Sequence, residues 1–254
     1  MKIGLVIPTL GKDLVSLSRT LLSVRSTSLK CAIVLVCPKE DNDIQEISVR
    51  FDAILLKEED IGLYAALNQG IRSLPSDCEF YSFLGDDDTL DPIGFKRLVN
   101  EVMQNRYDIY YGGIRYVDNR GDLLFTNYGL PGLKAFILWT PNLIPHPGSV
   151  IRKSIWEEVG GYSNQYKLAS DLDFWFKARK LARFRYKRVI VANFRFSSET
   201  LTGGSRLISL SESKSIRIKH AKWFQRPVLR FWDPFQTGIS ELILRRNLSK
   251  HNTL

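Results

Sequence analysis

Cysteine is scarce: Cys31, Cys37 and Cys78 are the only three in 254 residues, and their spacing suits neither a disulfide framework nor a zinc module. A reducing compartment fits such a set best. Long hydrophobic runs are missing too. No stretch approaches the roughly 20 apolar residues of a membrane-spanning helix. The opening MKIGLVIPTLG carries one Lys and an apolar run that Pro8 interrupts, too short for a signal-peptide core. These absences argue against secretion and spanning, and a cytoplasmic location is expected. Internal repeats, low-complexity tracts and a clear linker are lacking as well. What is there is an apolar content of 44% with five Trp, enough for a substantial buried core in one large domain or two small ones. Acidic residues run short only toward the end. Residues 1–176 hold 18 Lys and Arg against 23 Asp and Glu, whereas residues 177–254 hold 18 against 4, so the net charge of +9 joins an acidic body to a basic tail. Such a tail suits nucleic acid, an anionic membrane surface or a phosphorylated substrate, and composition does not choose among them.

Apolar runs at Ile3–Ile7, Ala32–Val36, Ala53–Leu56 and Phe80–Leu84 alternate with helical patterns, which predicts βα units and a mainly parallel sheet. Leu14, Leu17, Leu21 and Val24 share one helical face behind Asp13 as cap, and Leu63, Leu67, Ile71 and Leu74 form a second. Asp91 and Pro92 announce a third helix, with Phe95, Leu98, Val99 and Val102 turned inward. Beyond residue 106 the pattern is less regular. Short strands are expected at Asp108–Tyr111 and Gly113–Val117, a turn at Asp118–Gly121, and a helix over Lys153–Val159 that Gly160 and Gly161 stop. A helix from Asp171 to about Ala182, a strand at Val189–Phe196 and a loop at Ser197–Ser205 follow.

The most informative segment is Phe80–Leu90, FYSFLGDDDTL, an apolar strand ending in three carboxylates. Ligands of open α/β sheets bind beyond the carboxyl ends of the strands, where Asp86, Asp87 and Asp88 would stand. Adjacent carboxylates repel one another unless something neutralises them, and a hard divalent cation, Mg²⁺ or Mn²⁺, is the natural partner. The plain alternative is a solvated turn whose Asp91 caps the next helix. Phosphatases of the haloacid-dehalogenase type also end a strand in Asp-x-Asp, but they continue Gly-Thr-Leu from the first strand. Here Thr89 follows Asp88 directly and the motif comes late.

Taken in order, IPTLG, DIGLYAALNQGI from Asp60, FLGDDDTL, HPGSVIRKSIWEEVGGY and KLASDLDFWFKAR resemble the inverting glycosyltransferases of family 2. Bacterial enzymes of surface-polysaccharide synthesis, of the colanic-acid type, are the nearest in pattern. The resemblance implies an α/β fold of the GT-A kind, a mixed and mainly parallel sheet flanked by helices, over residues 1–205, with 206–254 as a basic amphipathic extension outside it. It also implies a nucleotide-sugar donor, UDP by default, and a saccharide or lipid-linked saccharide acceptor. Pro8, Thr9, Asp60, Gly62, Asn68, Asp86 and Asp87 would then line the donor nucleotide, and Asp88 with Asp86 would hold the metal. Asp171 would be the base of a direct displacement, which needs one carboxylate where a glycoside hydrolase needs two. His146, Arg152, Asp173, Gly203, Gly204 and Ser205 would belong to the acceptor side or to a loop over the donor. One departure stands out. The family's acidic residue after the second strand has no counterpart, since that strand ends Cys37–Pro38–Lys39, and Glu40 or Asp41 would substitute only in a shifted loop.

Each residue also has a purely structural reading. Pro8 and Thr9 fit an ordinary strand-to-helix turn, and Asp60 an N-cap. Tyr64 and Asn68, one turn apart, fit a packed helix edge. Asp171 and Asp173 behind Ser170 suit a helix dipole. His146 between two prolines fits a satisfied core histidine, Arg152 a surface pair, and Gly203, Gly204 and Ser205 a plain turn. In the tail, a helix over Ile239–Arg246 reads as an interfacial element, or as a segment that packs on the body. Aromatic residues interleaved with Lys and Arg would also suit a nucleic-acid module, but no binding signature supports one.

Overall fold

The computed structural model describes residues 2–39, 42–104, 106–140, 144–196, 205–235 and 238. Four parallel strands, β1 (Lys2–Pro8), β2 (Cys31–Cys37), β3 (Ala53–Lys57) and β4 (Cys78–Phe83), stand in the order β3-β2-β1-β4. β2 is buried along its whole length, as a parallel strand covered on both faces must be. Between the strands run α1 (Leu14–Ser26), α2 (Asn42–Arg50) and α3 (Leu63–Arg72), and α4 (Pro92–Val102) follows them. The expected caps are in place. Asp13 accepts the Ser16 N–H and Asp91 the Gly94 N–H, with Pro92 in the first turn of α4. α2 was not singled out by pattern, having only Ile44 and Ser48 buried.

The second half completes a nine-stranded sheet in an order no local pattern reveals. Its elements are β5 (Thr89–Leu90), β6 (Ile109–Val117), β7 (Leu123–Asn127), α5 (Leu133–Phe136), β8 (Val150–Arg152), α6 (Lys153–Val159), α7 (Ser170–Ala178), β9 (Phe184–Arg195) and α8 (Arg206–His220). β8 lies antiparallel between β4 and β6, β9 runs parallel to β6, and β5 closes the edge antiparallel to β9. The two short strands expected around Gly112 are one strand, β6, whose pairing with β9 shifts register at Gly113. β9 starts five residues before the expected Val189, and α7 stops at Ala178, short of Ala182. Gly160, at φ 83° and ψ 25°, ends α6 in the left-handed cap that the Gly-Gly pair predicts.

Two apolar layers sandwich the sheet. One joins Ile3, Leu5 and Ile7 to Leu17 and Leu21 of α1 and to Phe95 and Leu98 of α4. The other joins Val6, Val34 and Tyr81 to Leu67 of α3 and Phe174 of α7, and it extends to Ile216 of α8 and Leu229. The described part of the basic tail is therefore packed on the body. The helical stretch 226–235 is fastened to α8 by a buried ion pair, Arg217 to Asp233 at 2.8 Å. Among the described residues no helix is long and apolar enough to cross a membrane. The helix expected over Ile239–Arg246 lies outside the described residues.

Candidate active site

β1 and β4 end side by side, and the turn Gly85–Asp88 follows the second of them. Thr9, just past β1, donates its hydroxyl to Asp86 at 2.6 Å, and its Oγ1 accepts the Gly11 N–H at 3.0 Å. Thr20 of α1 donates to the carbonyls of Asp86 and Asp88 at 3.0 and 2.6 Å, pinning the turn from behind. Asp88 is 1% exposed. Its Oδ1 accepts the Arg195 N–H at 2.9 Å and its Oδ2 the Gly85 N–H at 3.2 Å. Asp86 and Asp87 are only half-buried and form the open edge of the cluster.

Burial raises the Asp86 carboxyl, and burial together with the Asp86 charge pushes Asp87 up to about 6. Burial and the Asp87 charge hold Asp88 well above the usual carboxylate range. Arg195, whose charge acts on Asp87, is shared with Ser16 at 2.8 Å and Asp13 at 3.6 Å. Among the described residues no group of three or more His, Cys, Asp or Glu side chains is arranged to hold a metal. Asp88, expected as the principal metal ligand, has both oxygens committed to backbone donors, which leaves Asp86 and Asp87 facing outward. Hard oxygen donors short of countercharge do fit one hard cation shared with a bound phosphate, the way Mg²⁺ is commonly held.

Asp171 stands in the first turn of α7, half-buried, where the helix dipole favours its charge. Tyr64 of α3 donates toward Asp171 Oδ1 at 3.3 Å and toward the Leu168 carbonyl at 3.1 Å. The approach to α7 is fixed from α8. Glu212 accepts the backbone N–H groups of Lys167, Leu168 and Ala169 at 2.8, 2.9 and 3.0 Å. Tyr116 of β6 feels the charge of both acidic regions. It is stacked on Phe125 with centroids 4.2 Å apart, and burial with the Asp171 and Asp88 charges pushes its hydroxyl up to about 12. Thr20, Tyr116, Arg195 and Glu212 were not foreseen, because each acts through partners distant in the chain.

Several expected site residues are used elsewhere. Asn68 spends its whole amide on the turn after α6: Nδ2 donates to the Tyr162 carbonyl at 2.7 Å, and Oδ1 accepts the Tyr162 N–H at 2.9 Å and Trp156 Nε1 at 3.2 Å. A side chain at Gly161, whose φ is +75°, would meet that same Oδ1 at 2.9 Å. The Asn and the Gly-Gly-Tyr motifs are thus partners in one buried joint, which corrects the donor role expected of Asn68.

His146 is buried against Phe83, its Nε2 is 2.8 Å from the Tyr162 hydroxyl, and desolvation lowers it to about 3, so the ring is neutral. Arg152 is corrected by strand direction. β8 runs antiparallel to β4 and pairs Arg152 with Phe80, carrying the guanidinium away from the acidic turn to Asp108 at 3.2 Å. Asp173 is corrected as well. It is buried under α8 and contacted by Lys177 and His220, both at 2.8 Å, and by Lys219 at 3.3 Å.

Pro8 is buried in β1 opposite Val36. Asp60 and Gly62 lie exposed before α3, with the Gly62 N–H donated to Glu58 at 3.0 Å. Gly62, Tyr64, Tyr166, Ser205 and Ile208 line a cavity of about 390 Å³ beside the Asp171 approach. Gly203, Gly204, Glu40 and Asp41 lie outside the described residues.

Residues 5–160 match the model of glycosyl transferase family 2. An uncharacterized glycosyltransferase of Rickettsia felis (strain ATCC VR-1525 / URRWXCal2) is 28% identical over 181 residues, 67% of this chain and 29% of that protein. One of Rickettsia conorii (strain ATCC VR-613 / Malish 7) is 30% identical over 160 residues, 60% of this chain and 26% of that protein. The chain thus spans less than a third of the length of these curated relatives. Among solved structures, residues 1–349 of S. aureus TarS superpose with a TM-score of 0.59 at 16% identity, over 87% of this chain and 70% of that one. The same fragment in complex with UDP-GlcNAc gives 0.60 at 15% identity, over 87% and 71%. At such identities the likeness shows the fold alone, and that fold is the GT-A arrangement. Asp171 lies beyond the matched residues 5–160.

Proposed function

The chain belongs to glycosyl transferase family 2, and from that premise we propose that it moves a sugar from a nucleoside-diphosphate donor to an acceptor hydroxyl with inversion. The observation that carries this reading is the acidic turn, whose half-buried Asp86 and Asp87 are raised by burial and, for Asp87, by the Asp86 charge beside it. The UDP-GlcNAc and UDP complexes of S. aureus TarS, which shares the fold, support a UDP-sugar as donor.

In this reading Thr9 and Asp86 present the ends of β1 and β4 to the nucleotide, with Asp60 and Gly62 at the rim. A divalent ion, Mg²⁺ or Mn²⁺, held by Asp86 and Asp87 with Asp88 behind them, would supply positive charge to the departing diphosphate. Asp171 accepts the proton of the acceptor hydroxyl as its oxygen bonds to the anomeric carbon, and the carbon–oxygen bond to phosphate breaks with its electron pair on the nucleoside diphosphate. The Tyr64 hydroxyl, 3.3 Å from Asp171 Oδ1, orients the carboxylate. The acceptor, a saccharide or lipid-linked saccharide of cell-surface polysaccharide synthesis, would approach past Tyr166 and Ile208 in the cavity beside Leu168. The enzyme would work in the cytoplasm, at the inner face of the membrane.

A turn placed after the fourth strand, with Thr89 directly behind Asp88, does not favour the phosphatase reading, and a tail packed through Ile216 and Leu229 does not favour a nucleic-acid module. The test is a thermal-shift panel of UDP-, GDP- and TDP-sugars with and without Mn²⁺, followed by assay of nucleoside-diphosphate release. A UDP-sugar is expected to raise the unfolding temperature most, because a ligand bound only to the native state stabilises it. No shift and no release with any member would reject the proposal.

A further inference from the structure

α8 begins where the catalytic domain was expected to stop, and it lies outside the matched residues 5–160. Ile208, Glu212, Ile216 and then Lys219 with His220 follow one another at the spacing of one helical face. Ile208 lines the cavity beside Leu168, Ile216 is fully buried, and Lys219 and His220 reach Asp173 of α7. Glu212 stands in the middle of that face. Its Oε1 accepts the Lys167 N–H at 2.8 Å, and its Oε2 accepts the Leu168 and Ala169 N–H groups at 2.9 and 3.0 Å. Ala169 is the N-cap of α7 and brings no side-chain acceptor of its own. Glu212 therefore takes the N-cap N–H as the Glu of a capping box does, but from another helix. Leu168 is held at both ends. Its N–H is on Glu212, and its carbonyl receives the Tyr64 hydroxyl at 3.1 Å, the same hydroxyl that lies 3.3 Å from Asp171 Oδ1.

We propose that Glu212 is a positioning residue for Asp171: it clamps the backbone just ahead of the base and, through Leu168, sets the Tyr64 hydroxyl against the Asp171 carboxylate. The role rests on the reading of Asp171 as the base. A general base works only where its oxygen stands within hydrogen-bond reach of the attacking hydroxyl, and a misplacement of about 1 Å can cost about 10²-fold in rate. A carboxylate on three successive backbone N–H groups makes charge-assisted bonds, which fix that backbone more firmly than neutral acceptors would. α8 thereby belongs to the reacting unit. The contrasting role is that of Lys219 and His220, whose contacts with the buried Asp173 fasten the helix without touching the approach to Asp171.

The test measures UDP release from the UDP-sugar that the thermal-shift panel selects, with water in place of the acceptor hydroxyl. Glu212→Ala, Glu212→Gln, Asp171→Asn and the Glu212→Ala, Asp171→Asn double variant are compared per folded molecule, each well below its unfolding midpoint. Glu212→Ala should lower kcat about tenfold to a hundredfold and leave the donor KM within about twofold. Glu212→Gln should lose less, because its remaining oxygen still accepts a backbone N–H. The double variant should be no slower than Asp171→Asn alone, since residues that act as one unit are not additive. A lowered unfolding temperature with kcat unchanged would make Glu212 purely architectural and overturn the proposal while leaving Asp171 as the base. So would a change in KM alone, or a double variant in which the two single losses multiply. Near-normal turnover of Asp171→Asn, or a panel without a binder, would bring down the reading of the base and this proposal with it.

Discussion

Asp88 and Asp173 are both almost wholly buried carboxylates, yet their surroundings are opposite. Asp88 receives two backbone N–H groups, yet burial, followed by the charges of Asp87 and Asp86, drives its carboxyl far up. Asp173 is pushed up by burial, but the His220 and Lys177 hydrogen bonds and the charges of Lys177 and Lys219 outweigh that and hold it well below the usual range. A buried charge that is matched by cations serves architecture, here the docking of α8 on α7. At the Asp88 turn it is the half-buried neighbours Asp86 and Asp87 that stand at the opening and suit positive charge brought from elsewhere.

Three substitutions sharpen that contrast. Asp171→Asn should have the largest effect, a fall in turnover of about 10³-fold with UDP affinity unchanged by calorimetry, since a general base contributes to the chemical step and not to nucleotide binding. Near-normal turnover with the natural acceptor would show the base to be another group. Asp87→Asn should cost about 10²-fold in turnover through weakened stabilisation of the leaving group. The same change removes one of three crowded like charges, so the unfolding temperature of the ligand-free protein should hold or rise; a clear fall would mean that Asp87 is structural.

Asp173→Asn should do the reverse, costing about 3 kcal/mol of stability in urea unfolding while turnover per folded molecule stays within about twofold. A folded-state carboxyl held below its unfolded value of about 3.9 contributes stability that is present above that value and lost as pH falls through the folded one. The wild type should therefore lose part of its stability below about pH 4, and the variant should lose less over the same span.

The first hundred residues were legible because their information is local. Asp13 and Asp91 cap helices three residues away, and the apolar period of α1, α3 and α4 matches the faces they bury. The acidic turn was legible for the same reason, as a strand that ends in charge. What escaped reading is set by pairing across distance. The insertion of β8 between β4 and β6 reverses the direction of the chain at Arg152, and this is what takes that guanidinium away from the acidic turn. Asn68 and Tyr162 are 94 positions apart, so the motif on α3 and the turn after α6 look like two binding elements until their shared hydrogen bonds are seen. Asp171 and Asp173 stand in one helical turn, and what the sequence does not show is that α8 and Lys177 cover the second while the first is left to Tyr64.

The Arg195 N–H that accompanies Gly85 on the Asp88 carboxylate comes from 107 positions later in the chain. On a ribosome adding about 5–20 residues per second, that donor follows Asp88 by roughly 5–20 s. Through that interval the nascent chain carries three adjacent carboxylates with the strand that will enclose the last of them still unmade. Assembly of the charged cluster is thus one of the late events of synthesis, and a chain released before β9 would have β1 and β4 without the finished acidic turn at their ends.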